Sequence, residues 1–222
     1  MNIFDIIGPV MIGPSSSHTA GAVRLGRVAN KLIDSRPLER VEITLSGSFA
    51  QTYKGHGTDR ALLAGIMGYH NYSPEIRDAL AIADERGIAY SFRTENLKNA
   101  HPNTAAIRCF LRSGEEARMR GASVGGGNIL VQEINGMAVD FNGENHTVLV
   151  MHQDKPGVIA AVTQLIHFEY AELNISSFRL SRQSKGGKAI MIIEIDGQPP
   201  EGLTDVIRRI PHVSNAILIR RI

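Results

Sequence analysis

Gly13-Pro14-Ser15-Ser16-Ser17-His18-Thr19-Ala20-Gly21 sets four hydroxyls and an imidazole on five consecutive positions. Downstream of it, Ala22, Leu25, Ala29, Leu32 and Ile33 recur at the spacing of one helical face. The polar run therefore predicts the N-terminal end of a helix, where Ser and Thr cap well and backbone N–H groups are unpaired. A polar turn with one cap is the plain reading. Five polar side chains exceed what capping needs, and the place suits a carboxylate or phosphate. Upstream, residues 1–12 read as a lead-in whose Ile3, Phe4, Ile6 and Ile7 are available for packing.

Beyond this helix, Arg36-Pro37 breaks the pattern, and Val41, Ile43 and Leu45 alternate with polar residues as a strand does. The run Gly47–Asp59 reads as a second polar loop, with Thr58 capping the helix that follows. Ser73-Pro74-Glu75 predicts a helix start, with Ile76, Ala79, Leu80 and Ala83 as its apolar face and Gly87 as its end. Strands follow over residues 88–92, 107–111 and 117–124, then Gly125-Gly126-Gly127 interrupts. Asn135-Gly136 between two further strands is a strong hairpin signal. From residue 147 onward the order is strand, helix, strand, strand, helix, strand, the ferredoxin-like βαββαβ arrangement.

Composition narrows the function. The chain has 222 residues and a formal charge of +2, enough for one large domain or two modest ones. Its Lys and Arg are scattered, which argues against a nucleic-acid partner. No apolar run approaches the roughly 18 residues of a membrane helix, and the N-terminus does not read as a signal peptide. The single cysteine, Cys109, excludes an internal disulfide and any Cys-ligated cluster built by this chain alone. A cytoplasmic setting follows as the expectation.

His18, His56 and His101 each stand in a Gly-, Pro- or hydroxyl-containing loop beside a regular element, where chemistry usually sits. Their spacing does not match a metal signature, so no metal ligands are assigned. Asp59 orients His56 or simply favours the helix dipole. Gly125-Gly126-Gly127 is a connector or a place of close backbone approach to a ligand. Asp154-Lys155-Pro156-Gly157 is a turn into a helix whose N–H groups suit a carboxylate.

Four motifs, Gly13–Thr19, Gly55-His56-Gly57-Thr58-Asp59, His101-Pro102-Asn103-Thr104 and Ser123–Asn128, resemble in content and order the beta subunit of the bacterial iron–sulfur L-serine dehydratase family. The C-terminal segment is similar to an ACT domain. The resemblance implies an α+β chain. Residues 1–145 would form a mixed α/β domain like the effector-binding domain of some phosphoglycerate dehydrogenases, and residues 146–222 a ferredoxin-like ACT domain. It further implies a lyase subunit of amino-acid metabolism and gluconeogenesis that converts L-serine to pyruvate and ammonia. Its [4Fe-4S] cluster would be ligated by the alpha partner, with self-association through the ACT domain. On this resemblance Ser15, Ser16, Ser17, His18 and Thr19 face the substrate, with Gly125, Gly126 and Gly127 nearby. His56, His101 and Asn103 position it or move protons, and Asp154, Pro156 and Gly157 bind an effector. The competing expectation is a regulatory amino-acid-binding module with no catalytic residue; a third is an isolated hydrolase.

Overall fold

The computed structural model describes residues 10–34 and 36–221, so Ile3, Phe4, Ile6 and Ile7 of the expected lead-in lie outside the described residues. A π-helical turn over Ser16–Gly21 runs straight into α1 (Ala22–Ile33). Ser15 precedes it in extended conformation and its hydroxyl accepts the His18 N–H, which makes Ser15 the cap. The strand β1 (Leu38–Ser46) buries alternate residues and then enters a helix, α2 (Gly47–His56), where the sequence pattern reads as loop. Phe49 is the one buried residue of α2, so no apolar stripe marks it in the sequence. The helix forms because Gly47 takes a φ of +58° to turn the chain off the strand, and Phe49 anchors the first turn in the core.

Gly57, at φ +69°, ends α2 and caps α3 (Thr58–Ile66), so the cap expected at Thr58 falls one residue earlier. The helix expected from Ser73 is split into a 3-10 turn (Pro74–Ile76) and α4 (Ala79–Glu85). The remaining strands of the first sheet are β2 (Ala89–Thr94), β3 (Thr104–Leu111), β4 (Glu116–Gly125), β5 (Asn128–Ile134) and β6 (Met137–Phe141). Their order is β2-β1-β3-β4-β5-β6, with β1 and β2 parallel and β1/β3, β3/β4 and β4/β5 antiparallel. Asn135 and Gly136 both take positive φ, +50° and +78°, as a tight hairpin turn requires.

Helix α1 packs on the sheet, and α3 packs on α1. The two helices touch backbone to backbone. A Cβ added at Gly26 would stand 2.3 Å from Leu62 O, and one at Gly65 would stand 2.2 Å from Val23 O. They run in the same general sense: His18 and His56 are neighbours before their first turns, and Asn30 Nδ2 donates to Ile66 O (2.8 Å) at the far end.

The chain divides into two compact units between Asn135 and Gly136. The second contains β6 together with β7 (His146–Gln153), α5 (Val158–Glu169), β8 (Asn174–Arg182), β9 (Lys188–Asp196), α6 (Leu203–Arg208) and β10 (Val213–Ile219). Its sheet order is β10-β7-β9-β8, antiparallel throughout, which is the ferredoxin-like order. Val148, Val150, Val162, Ile166, Met191 and Ile207 form its core. Among the described residues no helix is long and apolar enough to cross a membrane. Gly26→Ala should destabilise the first unit by about 1–3 kcal/mol or more, because the blocking atoms are backbone and cannot rotate away. Urea unfolding of the full chain checks this, and an unchanged midpoint would contradict the contact.

Candidate functional site

The π turn carries His18 to the end of β1, where α2 begins. Ser15 Oγ accepts the His18 backbone N–H (3.3 Å) and lies 3.4 Å from His18 Nδ1. The other ring nitrogen, Nε2, lies 3.2 Å from Ser48 Oγ on the first turn of α2. The imidazole is buried between the Phe49 ring, 5.2 Å away centre to centre, and the His56 ring at 4.7 Å, both edge-on. Burial first, and the facing His56 second, hold the His18 pKa below the ordinary histidine value. A neutral imidazole at pH 7, wired to two hydroxyls, can accept a proton on one side and pass one on the other.

A closed circuit of contacts joins three of the four polar motifs through Gly47–Phe49, and His56 of the fourth meets it at the His18 ring. His18 reaches Ser48. The neighbouring Phe49 N–H donates to Pro102 O (3.2 Å), and Gly47 lies so close to Pro102 that a Cβ would meet its Cα at 2.6 Å. Ser123 N–H donates to Asn103 O (3.0 Å), while Asn103 Nδ2 reaches Ser123 O (3.4 Å). Ser123 in turn packs on Gly21, where an added Cβ would meet its Oγ at 2.1 Å. Gly21 closes the π turn that began with Ser16.

The individual residues divide accordingly. Ser16 and Ser17 are half-buried in the π turn, and Thr19 is buried with its hydroxyl unpaired among the described residues. His56 is half-buried, faces His18, and has an unpaired buried Nδ1. His101 is exposed and turned onto its own loop, its Nδ1 accepting the Asn103 N–H (3.1 Å). Gly125, Gly126 and Gly127 make the β4–β5 turn, all at positive φ, and Gly127 O accepts from Arg24 (2.7 Å). Asp59 Oδ1 accepts the Arg60 N–H (2.8 Å), the bond of a helix-start acid. Ser48, absent from the sequence-derived candidates, was hidden by the reading of 47–59 as loop.

Beside His56 lies a cavity of about 260 Å³ whose walls include Gly13, Thr19, Lys54, Arg60 and Arg77. None of these cations stood out in the sequence, because they come from three separate elements.

In the second unit, Asp154 follows β7, and its Oδ2 accepts from Gly186 N–H (2.9 Å) and Arg182 Nη1 (2.9 Å). The Gly186 N–H first, and Arg182 next, hold its carboxyl below the usual carboxylate value. Pro156 is exposed, and Gly157 caps α5 at φ +88°.

The residues present do not fit an iron–sulfur cluster as ligands. Cys109 sits within β3, 1% exposed, and burial pushes its thiol up to about 12, the wrong state for a thiolate ligand. Among the described residues no three His, Cys, Asp or Glu side chains gather as a metal site.

The His18 titration is directly testable. Its folded pKa is depressed, so the unfolded chain takes up the proton first as pH falls. The contribution of His18 to stability is therefore full above the unfolded value of about 6.5 and is lost as pH falls toward the folded one. In NMR the His18 Hε1 midpoint should lie below that value, and His56→Gln should move it part of the way back. A midpoint at or above about 6.5 would contradict the burial.

Residues 2–87 match the serine dehydratase beta chain family. The chain is 42% identical over 212 residues to the probable L-serine dehydratase, beta chain, of Bacillus subtilis (strain 168), covering 96% of this chain and 94% of that one. It is 39% identical over 214 residues to the L-serine dehydratase, beta chain, of Peptoniphilus asaccharolyticus, covering 96% and 95%. A weaker likeness, 24% over 206 residues, joins it to the D-3-phosphoglycerate dehydrogenase of Bacillus subtilis (strain 168), covering 89% of this chain and 37% of that one. Near-complete coverage of two such relatives, one of them at 42% identity, means that this chain belongs to the serine dehydratase beta-chain family.

Proposed function

We propose that the chain is the beta subunit of an L-serine dehydratase and shares its active site with an alpha partner. The observation that carries this reading is the neutral His18 imidazole, held between Ser15 and Ser48 and faced by His56. Dehydration of serine requires removal of a weakly acidic Cα proton and loss of the β-hydroxyl as water. The resulting aminoacrylate tautomerises and hydrolyses to pyruvate and ammonia. In this scheme the His18–His56 pair carries protons, while Ser15, Ser16, Ser17 and Thr19 orient the bound acid. Asn103 and the glycine turn 125–127 shape the opposite rim, and His101 is assigned to the mouth of the site. The [4Fe-4S] cluster is assigned to the partner, and no step of this chain's chemistry runs through it. A cytoplasmic setting suits such an enzyme.

The reading predicts that His18→Ala lowers kcat by about 10²–10⁴-fold in the complex reconstituted with an alpha chain, with folding and assembly retained. Anaerobic pyruvate assay at saturating serine measures it. Deamination of serine by the isolated chain would overturn the shared-site picture.

A second reading, a regulatory amino-acid-binding subunit, is favoured by the likeness to phosphoglycerate dehydrogenase over 89% of the chain. It predicts unchanged turnover in His18→Ala and an altered serine response only. The second unit is assigned the regulatory role under either reading, with the Asp154–Gly157 turn as its effector site and self-association through its sheet. Asp154→Asn, which weakens the Arg182 and Gly186 contacts, should shift half-saturation by serine at unchanged kcat. A kcat change alone would count against this role.

A further inference from the structure

We infer that the cavity beside His56 is a carboxylate pocket in which Lys54, Arg60 and Arg77 hold the acid group of the small substrate. This rests on the serine dehydratase reading of the same site and adds residues to it. Lys54 comes from the last turn of α2, Arg60 from the first turn of α3, and Arg77 from the link between the 3-10 turn and α4. All three border one cavity of about 260 Å³, and among the described residues no acidic side chain lines it. Among the described residues Arg36 pairs with Glu115, Arg40, Arg108 and Arg118 pair with Glu42 and Glu116, and Arg120 pairs with Glu133, none of them lining this cavity.

Three like charges around one concavity repel each other, and a bound anion relieves that repulsion. Asp59, next to Arg60 in sequence, accepts the Arg60 backbone N–H, and Glu75 and Asp78, which flank Arg77 in sequence, do not line the cavity. The opening of α3 at Gly57 adds its positive dipole end to the same wall.

Two further features point to a ligand here. Thr19, only 2% exposed, lines the cavity with a hydroxyl that has no partner among the described residues. Gly13 lies so close to it that a Cβ would stand 2.3 Å from Thr19 Oγ1, so the cradle accepts glycine alone. His56 borders the cavity and faces His18, so an acid held by the cations has its neighbouring carbon turned toward the proton-carrying pair. The ligand class is a small α-substituted carboxylic acid.

Calorimetric titration of the full chain tests this with L-serine, L-lactate and L-serinamide as probes. The two acids should bind and weaken with added salt, and serinamide should bind at least tenfold more weakly. Arg60→Gln/Arg77→Gln should weaken L-serine at least tenfold while leaving the His18 NMR titration in place as a check on folding. Lys54→Gln, on an exposed turn, gives a second and milder loss. In the reconstituted complex the same variants should raise KM far more than they lower kcat. Equal binding of serinamide, no binding of serine, or indifference to both variants would overturn the pocket. A wild-type complex that turns over serine under those outcomes would leave the enzyme reading standing and sink only this one.

Discussion

The first unit depends on one contact without side chains. At Gly26 and Gly65 the backbones of α1 and α3 meet so closely that either Cβ would strike a carbonyl oxygen. Helices held apart by ordinary side chains pack at about 8–10 Å between axes, and this pair is built for a nearer approach. The consequence lies at their leading ends. Because the two helices run in the same general sense, the turns that precede them are side by side, and His18 meets His56. A wider helix pair would separate the two imidazoles and the walls of the cavity with them.

The π turn completes the placement. Its looser winding lets six residues, Ser16–Gly21, carry the chain from the capping Ser15 into α1 while His18 faces α2. Gly21 then lies directly on Ser123 of β4. The hydroxyl-rich segment is thus pinned by the sheet on one side and by Ser48 on the other. The same rigidity explains the lowered pKa of His18, since a ring that cannot swing to solvent is penalised for taking a charge.

Much of the architecture was legible in the sequence, for local reasons. Period-two burial gave β1 and β3, the Asn135-Gly136 pair gave a hairpin turn at positive φ, and the C-terminal order of strands and helices gave the ferredoxin-like sheet. Helix α2 was not legible. Its residues bury Phe49 alone, and glycines at 47, 55 and 57 imitate a loop. What makes it a helix is the packing of Phe49 and the fit of Gly47 against Pro102, neither of which is a property of the segment by itself.

The sequence by itself determined the chemical inventory: hydroxyls and imidazole before a helix, histidine loops beside regular elements, one buried-strand cysteine, and a βαββαβ second unit. These follow from residue type and short-range spacing. Only the tertiary structure decided that three distant motifs form one circuit met by His56 of the fourth, that Ser48 is the partner of His18 Nε2, and that Lys54, Arg60 and Arg77 border one cavity. The reason is physical. Which side chains face one another across a concavity depends on how helices cross and where a sheet ends, and here that geometry was set by two glycines that carry no chemistry themselves.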